Sequence, residues 1–70
     1  MSHTGIVTAF DGEAGLGVIT GADGTEHPFH CVEIADGSRT IDVAAPVRFR
    51  LLYKLGRVEA AGIDRDDGAG

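Results

Sequence analysis

The feature that most constrains this chain is a series of short β-forming runs separated by glycine-containing turns, all within 70 residues. No stretch of helical length places apolar residues at the three- and four-residue spacing of an amphipathic helix. Asp-Gly pairs at Asp11-Gly12, Asp23-Gly24 and Asp36-Gly37 are strong turn signals, because both residue types tolerate positive φ. The pattern therefore predicts one small all-β domain.

Five runs have the composition and alternation of strands, and they cover residues 6–10, 15–20, 25–30, 47–53 and 58–63. In the fourth run Val47, Phe49 and Leu51 share one face, which we expect to point into the core. Phe29 in the third run is also expected in the core. Pro28 cannot donate a ladder hydrogen bond, so we expect it at an edge, a bulge or a strand end.

Three strands in sequence, a long connection over residues 31–45 and a final hairpin are typical of a five-stranded antiparallel Greek-key barrel. Two open sheets are the alternative, but a chain without helices has nothing else to cover an exposed sheet face. We expect the domain to span residues 1–64. The polar, glycine-rich residues 65–70 are predicted to form a flexible tail.

Charge is distributed unevenly along the chain, which has a formal net charge of −5. Residues 1–38 contain six acidic residues and no Lys or Arg, whereas all six basic residues lie from Arg39 onward. A surface that binds nucleic acid normally places positive charge near the phosphates. The first half of this chain does the opposite.

No apolar run approaches the roughly 20 residues that span a bilayer, and one cysteine, Cys31, excludes an internal disulfide. We therefore expect a soluble cytoplasmic protein.

Several segments resemble the bacterial cold-shock protein (cold-shock domain) family. Gly5–Asp11 resembles its opening G-x-V-K-W-F-D/N, and Gly15–Ile19 resembles the following K-G-F-G-F-I. Pro28–Cys31 stands where the family has F-V-H-F. Further matches, which extend the resemblance over residues 3–64, are Ile34, Arg39–Ile41, Val47, Phe49, Gly56 and Ala60–Ile63. The resemblance implies a five-stranded OB-fold barrel that binds single-stranded RNA and DNA by stacking bases on aromatic side chains.

This sequence is an atypical member by that comparison, because most of the family's aromatic platform is replaced. Phe10 and His30 match, but the position of the strand-one tryptophan is Ala9. The aromatics of the two ribonucleoprotein-like motifs are replaced by Leu16 and Val18, and by Pro28 and Cys31. Stacking contributes roughly 1–3 kcal/mol per base, so the losses predict weak binding.

The candidate nucleic-acid contacts combine the platform positions with a possible basic strip on the later strands. They are Phe10, Leu16, Val18, His30, Arg48, Arg50 and Arg57. Arg48 and Arg50 share one strand face, which suits phosphate contacts away from the usual platform, although most such faces are simply solvated.

Catalysis and metal binding are not expected. His27, His30 and Cys31 are potential zinc ligands, but strand alternation places His27 and His30 on opposite faces, and no second ligand pair follows. The sequence shows no paired carboxylates, catalytic triad or phosphate loop. We therefore predict no cofactor, no metal and no enzyme activity.

Two functions remain. The first is cold-shock-like binding of single-stranded RNA or DNA, weak or altered. The alternative is a protein-interaction or dimerisation module that contacts a partner or a second copy through Leu16, Val18, Pro28 and Cys31, because exposed apolar patches mark partner sites.

Overall fold

The computed structural model describes residues 3–66, without the side chain of Lys54. It contains five strands and one 3₁₀ turn, Cys31–Glu33. The strands are β1 (His3–Asp11), β2 (Leu16–Gly21), β3 (Glu26–His30), β4 (Pro46–Lys54) and β5 (Arg57–Arg65). All five predicted strands are confirmed, with ends within three residues of those expected. Among the described residues no helix is long and apolar enough to cross a membrane.

The strands form one antiparallel sheet in the order β3-β2-β1-β4-β5. The predicted hairpin turn at Asp23-Gly24 joins β2 to β3, with Gly24 at φ +86°. Asp23 Oδ1 accepts a hydrogen bond from the Thr25 N–H at 2.9 Å, and this contact lowers the pKa of the Asp23 carboxyl. The long connection after β3 crosses to β4, which pairs with β1 and gives the Greek-key order.

The hydrogen-bonded sheet is open between β3 and β5, so the barrel closes there by other contacts. Ile34 forms a single parallel bridge with Ile63, and the Ala35 N–H donates to the Ile63 carbonyl at 2.7 Å. Glu33 Oε1 accepts a hydrogen bond from the Gly62 N–H at 3.3 Å. The fold is the expected five-stranded OB barrel, closed at this seam by the segment that follows β3.

The core lies inside the barrel and is built by strand alternation. Phe29 and Phe49, both predicted to be core residues, are its largest fully buried side chains, and Val47 is buried beside them. Gly17 allows Phe29 to pack closely, because a Cβ at position 17 would lie 2.4 Å from Phe29 Cζ. Pro28 lies in the edge strand β3, one of the positions that its missing N–H allows.

Of the tail expected over residues 65–70, residues 67–70 lie outside the described residues. Arg65 is the last residue of β5, and its guanidinium pairs with the carboxylate of Asp36 in the long connection.

Candidate nucleic-acid interface

An open groove of about 860 Å³ runs across the outer face of the first three strands and reaches the start of β5. Most of its lining is apolar, with charged residues on the 3₁₀ turn, β1 and β5. The lining residues are Ala9, Phe10, Asp11, Leu16, Gly17, Val18, Pro28, Phe29, His30, Val32, Glu33, Arg57 and Glu59.

The register of β2 against β3 builds the floor of the groove. Leu16 lies opposite His30, and Val18 lies opposite Pro28. Directly opposed residues of antiparallel strands point to the same face, so these four side chains form one cross-strand patch. Leu16 is 53% exposed and Val18 is half-buried. The floor is therefore accessible and mostly aliphatic.

Phe10 lies at the end of the groove and is half-buried. The register of β1 against β2 shifts between Val7 and Ala9, and Phe10 then pairs with Gly17. Its ring stacks on the buried ring of Phe29, with centroids 6.1 Å apart and planes 12° apart. Only part of the Phe10 ring is thus available to a ligand.

His30 is exposed beside Leu16, and its ring orientation is set by the turn that follows it. Its Nδ1 accepts a hydrogen bond from the Val32 N–H at 3.3 Å, capping the 3₁₀ turn. A neutral ring in this geometry carries its proton on Nε2. His30 can therefore offer a ligand both a ring face and an N–H donor.

The charged lining of the groove is predominantly acidic. Asp11, Glu33 and Glu59 contribute carboxylates, and among the described residues Arg57 is the one Lys or Arg that lines the groove. The Arg57 guanidinium lies 3.4 Å from a Glu59 carboxylate oxygen and is well exposed. Glu59 is largely covered in this pair, but the Arg57 side chain is 77% exposed, so Arg57 can still meet an external anion.

The structure brings together five of the seven predicted site residues and separates the other two. Phe10, Leu16, Val18, His30 and Arg57 all line the groove. Arg48 and Arg50 lie on β4 and line a separate depression with Gly62 and Asp64. The Arg50 side chain covers Gly62, where a Cβ would lie 2.8 Å from Nη2.

One residue of the predicted partner surface is wrongly placed by the sequence pattern. Cys31 is only 8% exposed and belongs to the core. The 3₁₀ turn begins at Cys31 and directs its side chain toward Gly15, where a Cβ would meet the sulfur at 2.9 Å. Strand alternation does not apply beyond the end of β3, so Cys31 does not line the groove.

Of the groove residues outside the first three strands, the sequence interpretation named Arg57 but missed Val32, Glu33 and Glu59. Val32 is 66% exposed, and it lines the groove with Glu33 because the 3₁₀ turn folds beside β3. No local pattern predicts that turn. Glu59 also lines the groove, two residues after Arg57, and strand alternation places both on one face.

The two histidines weighed as zinc ligands lie in different environments. His27 packs on Phe49 with ring centroids 5.3 Å apart, and His3 stacks on the same phenylalanine at 5.7 Å. His30 lies on the groove. Within residues 3–66 no group of three His, Cys, Asp or Glu residues is placed to hold a metal ion.

No family model matches the sequence, and a search of curated proteins gave no match. Among solved structures, the chain is similar to "drosophila Unr CSD456", with a TM-score of 0.82 and 22% sequence identity. The match covers 100% of this chain and 29% of that chain, so the present sequence spans less than a third of the Unr structure. At this identity the likeness shows the fold, which is that of a cold-shock domain.

Proposed function

We propose that the groove binds single-stranded RNA or DNA weakly and with little base preference. The observation that carries the proposal is the convergence of Phe10, His30 and Arg57 on one open groove of a cold-shock fold. A ring edge, a ring with an N–H donor and a guanidinium are the groups that contact bases and phosphates. The volume of the groove lies within the usual range for ligand sites.

Weak binding follows from the composition of the floor. Leu16 and Val18 offer apolar surface but no π-face, so each replaces a stacking contact worth roughly 1–3 kcal/mol. Asp11 and Glu33 repel phosphates at the rim. We therefore expect dissociation constants from high micromolar to millimolar at low salt. Added salt should weaken the binding further.

Arg48 and Arg50 belong to the proposal as contacts for a strand that extends beyond the groove. Within residues 3–66 neither guanidinium has an ion-pair partner, and both are exposed. They would add phosphate contacts and salt dependence without adding sequence preference.

The proposal is tested by fluorescence anisotropy with labelled single-stranded RNA and DNA at low salt. We expect His30→Ala to weaken binding about threefold to tenfold, as the loss of one partial stacking contact. Arg57→Ala should weaken binding and reduce the slope of log affinity against log salt by about 0.7, the value for one lost phosphate contact. Arg39→Ala is the matched control, because Arg39 is exposed and does not line the groove.

Three results would count against nucleic-acid binding in the groove. They are no anisotropy change at high micromolar protein, binding that does not weaken with salt, and equal effects of the Arg39 and Arg57 substitutions.

A second candidate function is protein contact through the same groove. The exposed apolar side chains of Leu16 and Val32, bordered by Asp11 and Glu33, favour it. Apolar surface with a polar rim is typical of protein interfaces. A photo-crosslinking residue at position 32 should trap a protein adduct that Leu16→Asp removes. A crosslinker at position 43, an exposed apolar position outside the groove, is the control.

A further inference from the structure

The turn of the β4–β5 hairpin contains a leucine whose side chain is not buried by its own chain. Leu55 and Gly56 join the strands with φ values of +45° and +81°, as in a type I′ turn. Glycine, asparagine and aspartate suit such positions, whereas leucine is sterically disfavoured there. Leu55 is also fully exposed, at 104%. Its backbone strain and its exposed apolar side chain both disfavour leucine in an isolated chain.

Two residues of β4 add exposed apolar surface next to Leu55. Tyr53 is 75% exposed and Leu52 is also exposed. Among residues 3–66, β4 beyond Phe49 pairs only with β5, so within this part of the chain the end of the hairpin extends past β1. Strain together with exposed apolar surface indicates a contact made elsewhere.

The apolar and charged groups of the groove complement those of the hairpin tip. The groove is apolar at Leu16, Val18 and Val32, and its charged lining among the described residues is three carboxylates, from Asp11, Glu33 and Glu59, against the single guanidinium of Arg57. The loop sequence Lys54-Leu55-Gly56-Arg57 places a leucine between two basic residues. A leucine flanked by positive charge thus matches an apolar floor flanked by negative charge.

The positions of the hairpin and the groove allow a reciprocal contact. Arg57 and Glu59 form part of the groove wall, and Leu52 lies opposite Glu59 in the register, on the same face. The tip therefore projects from the rim of the groove. Full exposure of Leu55 shows that it does not enter the groove of its own chain. When the donating element borders the accepting surface, two copies can exchange contacts about a twofold axis and close the assembly.

We propose that Leu55 of each chain inserts into the groove of a second copy, giving a closed dimer in which both grooves are occluded. This inference rests on the second candidate function, a protein-contact groove. Each half of the interface is one hairpin tip and one groove, so we expect a small interface of the kind found in transient complexes. The dimer therefore forms reversibly, and single-stranded nucleic acid competes with it for the groove.

Sedimentation equilibrium of the purified chain, without nucleic acid and from micromolar to millimolar concentration, tests the proposal. The wild type should show a monomer–dimer equilibrium. Leu55→Gly should weaken it about a hundredfold or more, because each dimer loses two buried leucine contacts. The same substitution should not lower the thermal midpoint, since glycine accepts the positive φ. Val43→Ser is the matched control and should leave the equilibrium unchanged.

A mixing experiment locates the two halves of the interface. Leu16→Asp damages the groove and keeps the tip, whereas Leu55→Gly damages the tip and keeps the groove. Neither variant should dimerise alone, but the mixture should form a heterodimer through one intact contact, weaker than the wild-type dimer.

A wild type that stays monomeric to millimolar concentration overturns the proposal, and so does a Leu55→Gly variant that still dimerises. Failure of RNA or DNA binding leaves these sedimentation results unaffected, so the two functions are tested separately. If the chain both dimerises through Leu55 and binds nucleic acid in the groove, Leu55→Gly should bind single-stranded RNA at least as tightly as the wild type.

Discussion

Leu16 and Val18 occupy positions on the groove floor where the cold-shock pattern has aromatic rings. Their side chains keep the apolar character of the site but provide no π-face for a base. If the floor is otherwise intact, restoring rings there should restore affinity. We expect Leu16→Phe with Val18→Phe to tighten binding to single-stranded RNA by about tenfold or more, measured by anisotropy.

The control for this gain is Val43→Phe, which adds a ring at an exposed apolar position outside the groove. An equal gain from Val43→Phe would mean that added apolar surface, not stacking in the groove, causes the change. No gain from the double substitution would contradict the placement of the site.

Gly17 shows how one small residue supports both the core and the groove. A Cβ at this position would lie 2.4 Å from Phe29 Cζ and 2.9 Å from the Ala9 carbonyl oxygen. We expect Gly17→Ala to destabilise the fold by about 1–3 kcal/mol, as overpacking does, measured by urea denaturation. Gly12→Ala is the control, because the nearest atom to its Cβ would be 3.8 Å away. Equal losses from both substitutions would contradict the packing argument.

At the scale of elements, the seam between β3 and β5 is where the sheet lacks a continuous ladder. Glu33 crosses it by accepting the Gly62 N–H. Glu33→Ala should destabilise the chain by about 1 kcal/mol, because a part-buried N–H loses its acceptor. Glu33→Gln retains a side-chain oxygen and should cost clearly less. Urea denaturation of both variants checks this, and equal stability of the two would show that the contact contributes nothing.

The seam also joins the scaffold to the proposed site. Glu33 lines the groove on one side and holds β5 on the other, and Arg57 and Glu59 reach the groove from β5. The apolar floor comes from β2 and β3, whereas the basic group comes from the last strand. The site therefore depends on how the barrel closes.

At the scale of the whole molecule, the ion pair between Asp36 and Arg65 connects the long crossing to the end of β5. Hydrogen bonds from the Ser38 hydroxyl and N–H, together with Arg65, lower the pKa of Asp36 from 3.8 to about 2. A lowered pKa means that the carboxylate stabilises the fold above pH 3.8, and that this contribution is lost as the pH falls toward 2. Acid should therefore weaken the fold in that interval.

Thermal denaturation between neutral pH and pH 2 checks this titration. The Asp36→Asn variant should lose less stability than the wild type over the acid interval, since the titrating group is gone. Asp42→Asn is the control, because Asp42 is exposed and its side chain has no hydrogen-bond partner within residues 3–66. A pH profile of Asp36→Asn that matches the wild type would contradict the assignment.

The whole chain also combines an acidic first half with basic residues confined to the second half. Folding places β1 next to β4, so the two halves share one sheet. Arg48 and Arg50 nevertheless remain on a depression of their own. Among the described Lys and Arg residues only Arg57 lines the groove. The number of basic residues in the chain therefore does not give the charge of the groove.

The strands, the turn at Asp23-Gly24, the burial of Phe29 and Phe49, and the shared face of Leu16 and Val18 can all be predicted from the order of the amino acids. These features depend on alternation and turn chemistry, which act over a few neighbouring residues. Three features appear only in the folded chain: Cys31 turns into the core, Val32 and Glu33 join the groove, and Arg57 reaches the groove while Arg48 and Arg50 do not. Those outcomes depend on where the segment after β3 meets β5, a contact between residues about thirty positions apart that no local pattern encodes.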